Sequence, residues 1–593
     1  MNAERSEIRS IVWSEVFPVA RLLKSFAQAL ESRSLFLALL AVVGIYAVGR
    51  SMDAVWTSTG GGVLASSVGE QRTEIHVYAS PEIDFDGWLR SARRASVELA
   101  ARAEQARGSD LDDGSREMLT WVDAQLRTGR ERIANDQSLT AIQRADQLHK
   151  LARSADVLRY QLRGLDPRPF TAEEQGLAIE TLIAGSAGTS ADEPKRRLLT
   201  LLDRHRDIAL DARTHAGGPF AAWLDYQTGC FAAAVQGVAS GRVGFGADAY
   251  SPAPTLFGSI GSMASGMMWL VTQRPLFALC FGFASLVILG LLGTTICRVA
   301  AIRITRDESC DTRNALGFVW ERFGGVLGGP LLPVGVFLLA FGVMWLGGFV
   351  GGLIPQAGPI FTGLFGFLYL LGGVALAFCM LAFVFGFPLF WPTIAVEGSE
   401  SFDAFQRASY VLQRPGSYAI YSMIALALGG LAFLLVRLGV MLVLKLTHAA
   451  VGSGMSICGV WSSSRTETVA PLDALWAMPP WRELSILPTV SGTPFWGTFG
   501  NAPTAGIEGA GGFLLAIWVF VAVGIVGAFV ISFYFTACTN IYLLLRQNVD
   551  GVGFDEILFE EELDDLDVEA EQPTVKPAAG KGVALPVVGD SPR

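Results

Sequence analysis

Three kinds of residue in this chain could do chemistry: five histidines, seven cysteines and an arginine, Arg437, set inside an apolar stretch. The histidines are His76, His149, His205, His215 and His448, and none stands in HExxH or another paired metal spacing. There is no GxxxxGK[ST] phosphate loop and no GxSxG elbow. The glycine clusters fall in apolar runs or linkers, not between a strand and a helix, so no dinucleotide site is expected. No metal, no cofactor and no catalytic residue is expected, and the chain offers no positive signature of an enzyme. His205, between Arg204 and Arg206, reads as a surface residue of a helix.

The cysteines form no CxxC. Cys280, Cys297, Cys310, Cys379 and Cys538 fall in apolar spans or short inner segments and read as small buried filler. Cys230 and Cys458 are expected on the outer side, where a disulfide between them is permitted and two buried thiols fit equally well. Arg437 is a functional hypothesis by virtue of its place in an apolar span. It lies about 20 residues from the start of that span, roughly 30 Å along a helix, near the outer boundary. Two readings stay open: an interfacial anchor that snorkels, or a buried counter-ion or substrate contact.

The elements that carry these residues are set by one uncharged run, 323–396, bracketed by Arg322 and Glu397. Charge in hydrocarbon is costly, so a run of that length belongs in a bilayer. Pro355, Gln356 and Gly358 divide it into a hairpin. Hydrophobic residues make up 51% of the 593 residues and charged residues 17%, with the charges segregated into 51–274 and the C-terminal tail. The net charge of −10 comes largely from 556–571. No nucleic-acid partner is expected.

The expected fold is all-α: a polytopic membrane protein of six transmembrane helices with an external helical bundle. A cytoplasmic amphipathic segment, 1–33, precedes a short first span, 34–50, read as an uncleaved signal anchor. An external domain, 51–274, leads to the second span, 275–297. A cytoplasmic loop, 298–330, precedes the third span, 331–354, and an external turn joins it to the fourth, 360–391. An amphipathic linker, 392–416, leads to the fifth span, 417–444. A Pro- and Trp-rich external loop, 445–511, leads to the sixth, 512–545, and an acidic, partly disordered tail, 546–593, follows. Arg298, Arg303, Arg306, Arg313, Arg322, Arg407 and Arg414 place their segments, and both termini, in the cytoplasm.

Within 51–274, helical spacing covers 88–106, 115–134, 138–162, 171–184, 194–212 and 219–238. Ser138 is the expected cap of the third of these, Thr171 with Glu174 makes a capping box, and Pro194 suits a first helical turn. Residues 73–79 read as a short strand. Arg93, Arg94 and Arg102 read as solvated i,i+4 partners. The stretch 256–271 reads as an amphipathic helix on the outer leaflet with Trp269 at the interface.

GxxxG spacings at Gly324 and Gly328, Gly347 and Gly351, and Gly348 and Gly352 mark helix-packing faces, in one bundle or a homo-oligomer. Gly329-Pro330 and Gly386–Pro388 are expected helix breaks. No Asp or Glu falls within the spans to couple ions, which weighs against a secondary transporter. In the linker EGSESFDAFQRASYVLQRP, Ser399 or Ser401 is the expected cap, with Phe402, Phe405, Ala408 and Val411 on one face.

That linker, with the Pro-x-Ile-Ala-x-Glu-Gly stretch that begins at Pro392, resembles a bacterial six-span membrane-protein family without an assigned activity. ICRVAAIRITRDE at 296–308 and the stretch 531–550 with 554–557 strengthen the resemblance. It covers the membrane half and implies architecture alone. The expected function is a structural, scaffold or assembly role in the bacterial cell envelope, with the lipid bilayer, envelope proteins or a second copy as partners. A transporter or permease component is the alternative, and a sensor passing its signal to a separate partner is the third.

Overall fold

The computed structural model describes residues 20–65, 72–80, 82–108, 111–162, 172–186, 192–214, 217–306, 308, 310–353, 358–457, 472 and 507–551. Cys458, the Thr171 capping box, most of the loop at 445–511 and the acidic tail beyond 551 lie outside the described residues. The architecture is all-helical. Among the described residues the only β-type pairing is an isolated bridge, Ala65 to Thr73. In chain order the helices are α1 (Ala20–Ala29), α2 (Ser32–Ser58), α3 (Glu74–Ala79), α4 (Phe85–Ala106), α5 (Leu111–Asn135), α6 (Ala141–Leu162), α7 (Ala172–Ser186), α8 (Asp192–Thr214), α9 (Pro219–Ala239) and α10 (Leu256–Gln273). They continue with α11 (Pro275–Arg306), α12 (Thr312–Glu321), α13 (Phe323–Leu353), α14 (Gly358–Leu364), α15 (Gly366–Glu397), α16 (Ser401–Ala408), α17 (Tyr410–Gln413), α18 (Pro415–Ile457) and α19 (Ile507–Asp550).

Among the described residues, five helices are long and apolar enough to cross a membrane: α2, α11, α13, α18 and α19. A sixth candidate, α15, bends by 44° between Leu381 and Phe383. Pro388 removes the bond to the carbonyl of Val384 one turn upstream of it, which weakens the helix there. The short apolar run of the first span is extended: α2 carries on through Arg50 and Asp53 to Ser58.

The chain divides into two compact units. The first comprises 1–28, 293–424 and 535–593, and the second 29–292 and 425–534. In the first, α13 packs against α15 and α16. The expected break at Gly329-Pro330 is absent, since α13 runs through Pro330 and Pro333. Proline 330 has no N–H for the carbonyl of Val326, and the Trp391 indole N–H supplies one instead, at 3.2 Å. Near the N-terminus Ser25, fully buried, accepts from the Asn540 amide at 2.6 Å.

In the second unit, α5, α6, α7 and α8 share a core of Met118, Val122, Leu151, Leu158, Leu182, Leu198 and Leu202, and α4 packs on α8. Thr140, not Ser138, caps α6: Thr140 N–H donates to Gln143 Oε1 at 3.0 Å and Gln143 N–H to Thr140 Oγ1 at 3.3 Å. This is a capping box two residues later than expected. Ser138 turns to Asp136 instead. Residues 74–79 are helical rather than a strand, because the lone bridge at Thr73 offers no sheet to join. Arg102 pairs with Glu98 at 2.6 Å on the exposed face of α4. His205 is not a bare surface residue. It lies between α8 and α5 with Nε2 2.9 Å from Ser115 Oγ, and burial lowers its pKa. Trp269 is fully buried, so α10 turns it into the protein rather than to an interface.

Candidate functional site

A set of interlocked, half-buried charges lies in the first unit, where α15 ends on Ile394-Ala395-Val396-Glu397-Gly398. Ile394, Ala395 and Val396 are fully buried. Gly398 closes the helix at φ 63°, a left-handed conformation that suits glycine. The last carbonyls of a helix attract cations, and two arginines answer. Arg298 Nη1 donates to Ala395 O at 2.9 Å and Arg322 Nε to Gly398 O at 3.3 Å. Both guanidinium carbons lie 3.9 Å from the centre of the Phe318 ring. Two cations fit that close to one ring only on opposite faces.

Glu397 holds the centre of a second set. Its carboxylate pairs with Arg407 Nε at 3.3 Å and Arg546 Nε at 3.2 Å, and accepts from the Tyr542 hydroxyl at 2.6 Å. Arg407 Nη1 lies 2.5 Å from Asp550, which also accepts from the Tyr410 hydroxyl. The Tyr410 and Tyr542 rings stack with centres 6.2 Å apart. Burial, the largest single influence, would lower the Arg407 pKa, but Glu397 together with Tyr410 and Tyr542 outweighs it and holds the guanidinium above its usual value. Burial, then the bond to Asp550, raises the Tyr410 phenol. A cavity of ≈ 460 Å³ adjoins this set, lined by Glu397, Asp403, Gln406, Arg407, Tyr410 and Asp550 among others.

The arrangement is a clamp. It ties the end of α15, the short helices α16 and α17 and the end of α19 through charge-assisted contacts. No group of three or more His, Cys, Asp or Glu suited to a metal occurs among the described residues. The linker is seated without the expected serine cap. Glu400 occupies the cap position, and Ser401 Oγ reaches Gly324 O at 3.5 Å. Ala404, Ala408, Tyr410 and Val411 are buried, while Phe402 is exposed.

From the sequence Glu397 marks the end of the uncharged run and Arg407 an inner segment, but neither they nor Arg546 and Asp550 are expected at a site. One signal was present: Tyr542, Arg546 and Asp550 recur every four residues, which puts them on one face of α19. The stretches 296–308 and 392–414 fall in the first unit, while 531–550 begins in the second and enters the first at Phe535.

The residues expected to matter are elsewhere. Arg437 is 5% exposed and sits over Phe433 at 5.8 Å. Because α18 extends to Ile457, Arg437 lies about 30 Å from either end of it. It is a mid-helix residue rather than one close to an end. Cys230 is fully buried in α9 as a thiol. Of the packing glycines, Gly328 meets the side chain of Ser401 and Gly347 that of Tyr369. Gly351 is buried, whereas Gly324, Gly348 and Gly352 face open space. The structure does not bring Arg437, Cys230 and these glycines into one site. No protein-family model, curated protein or solved structure matches the chain.

Proposed function

We propose that this chain is a multi-pass protein of the bacterial inner membrane with a scaffold or assembly role in the cell envelope. In this reading α2, α11, α13, α15, α18 and α19 are six spans. The arginines at 298–322 and at 407–414 are cytoplasmic, as are both termini, and the bundle of α4 to α8 stands outside. The chain is then architecturally of the six-span type that its linker resembles.

The observation that carries the reading is the Glu397 clamp. Its two carboxylates are engaged by Arg407, Arg546, Tyr410 and Tyr542. These polar groups fasten segments of the chain to one another, as a load-transmitting base requires. Long apolar side chains of α13 and α15, such as Leu339, Trp345, Leu368 and Leu370, are exposed and suit contact with lipid. Photo-crosslinking in native membranes from the exposed faces of α5 and α8 tests the role. One recurrent envelope partner in stoichiometric yield is expected. Absence of any partner would remove the scaffold reading.

A second reading, transport, rests on Arg437, a cation buried at mid-helix. It predicts that Arg437→Leu abolishes movement of an anionic solute while leaving the folded yield unchanged. A variant indistinguishable from the parent in both respects would end it.

A further inference from the structure

We infer that α9 and α10 form a helical hairpin inserted into the bilayer from its outer side, with one face of α10 on lipid, rather than a part of the external bundle. The inference rests on the membrane reading above. Its first support is position. Phe220, at the start of α9, lies against Gly49 of α2, where a Cβ would come within 2.5 Å of its ring. Phe231, eleven residues on, meets Phe433 of α18 with ring centres 5.1 Å apart. Phe433 is one turn beyond Gly429, which packs on Phe533. The adjacent Ser532 donates to Ala29 O at 2.9 Å, just before α2 begins. So α9 touches the level of residue 49 at its start and, by Phe231 at mid-helix, approaches a level near the start of α2. From Ser32 to Gly49 is about 25 Å of helix, and from Phe220 to Phe231 about 16 Å. Contacts so far apart are bridged only if α9 runs down beside α2.

The second support is the surface. Leu256–Gln273 contains no Asp, Glu, Lys or Arg. Its exposed large side chains are Phe257, Ile260, Met267, Met268 and Val271. Their spacing of three, seven or eight, and three or four residues puts them on one face. The same kind of surface continues after the break at Arg274 as Leu276, Leu279 and Phe283 at the start of α11. A lipid-facing stripe thus runs from α10 into a proposed span without a charge on it. The opposite face of α10 packs on α9, with Gln227 Nε2 donating to Met263 O at 2.9 Å.

Irregular backbone at membrane depth is tolerated only where it lines protein or water. In the connecting segment 240–255, Ser240 to Gly246, Arg242 among them, is exposed and needs water at the tip of the hairpin, whereas Tyr250 turns back, its hydroxyl donating to Tyr226 O at 3.2 Å with His76 packed on both rings. That polar flank is distinct from the lipid-facing stripe.

Nitroxide labels at Ile260→Cys, Met268→Cys and Val271→Cys in the full chain, reconstituted in phosphatidylglycerol–phosphatidylethanolamine vesicles, test the inference. Relaxation by oxygen should dominate over relaxation by a water-soluble nickel chelate at Ile260. The oxygen-to-nickel ratio should fall steadily through Met268 to Val271, which lies nearest the surface. Nickel-dominated relaxation at all three sites overturns the inference, because the hairpin is then in water. Equal, shallow ratios at Ile260 and Val271 overturn it too, because α10 then lies flat. Leu370→Cys on α15 is the reference for the membrane reading: nickel access there removes that reading itself. Asp112→Cys is the aqueous reference.

Discussion

Glu397 and Arg546 form an ion pair of 3.2 Å in which the side chains are only 13% and 14% exposed. A pair so withdrawn from water is costly to break from one side, because the remaining charge is left poorly solvated. Arg546→Met should therefore lower stability by roughly 2–4 kcal/mol, a range reduced slightly for the residual exposure. Glu397→Gln, which takes a charged partner from Arg407 as well as from Arg546, should cost at least as much. Thermal unfolding of the purified protein in detergent reads both. A double variant that replaces both residues by Met and Gln should lose less than the two single losses added together.

Trp391 supplies the N–H that Pro330 cannot. Trp391→Phe keeps the ring but leaves the Val326 carbonyl without that donor, at a cost of about 1–3 kcal/mol. Pro330→Ala restores a backbone N–H within α13. Adding it to Trp391→Phe should recover a good part of the loss, whereas on its own it should change little. The same unfolding measurement checks this. Additive effects would mean that the two residues do not serve one carbonyl.

Much of the fold was legible because long uncharged runs and helical spacing are simple patterns. The run 323–396 announced α13 and α15, and the helical spacing of α4 to α9 gave their ends to within a few residues. What stayed hidden depended on partners distant in sequence. Arg50 and Asp53 end the apolar run of the first span, yet α2 continues to Ser58 because Asp53 has partners of its own in α9. Trp269 has the residue type of an interface anchor, but α10 turns it inward. Arg407 and Asp550 are 143 residues apart, and no local rule pairs them. The helix periodicity of Tyr542, Arg546 and Asp550 was visible, though not what faced it.

His76 gives the fold a pH dependence. Burial first, and the nearby Arg72 charge second, lower its pKa from 6.5 to about 4. The folded state therefore favours the neutral ring, and between those values the unfolded chain binds more protons. Stability is fully present above pH 6.5 and is lost as the pH falls from 6.5 towards 4, by up to about 3 kcal/mol. In His76→Gln the decline over that window should flatten. A parent whose unfolding midpoint is constant from pH 7 to pH 4.5 would contradict the assignment.

Cys230 is fully buried as a thiol eleven residues into α9. If the hairpin enters the bilayer, that depth separates it from any external cysteine. It should be alkylated only after denaturation, and without prior reduction. Mass spectrometry under non-reducing conditions distinguishes this from a bond to Cys458, which would appear as a linked peptide pair.

Asp53 caps a helix that begins 166 positions later in the chain. Its carboxylate accepts from the N–H groups of Phe220 at 2.7 Å and Ala221 at 2.9 Å, and its side chain is buried. The first N–H groups of a helix have no partner within it, and a negative charge there also meets the positive end of the helix dipole. Gly218 precedes Pro219 because a Cβ at that position would overlap the Asp53 carboxyl. Asp53→Ala should therefore cost about 1–2 kcal/mol. Asp53→Asn, which keeps one acceptor oxygen but not the charge, should cost less. Gly218→Ala should act like the alanine variant, since it displaces the same carboxylate. The order of unfolding temperatures should be parent, then Asp53→Asn, then Asp53→Ala together with Gly218→Ala. A Gly218→Ala protein as stable as the parent would show that α9 does not start against α2.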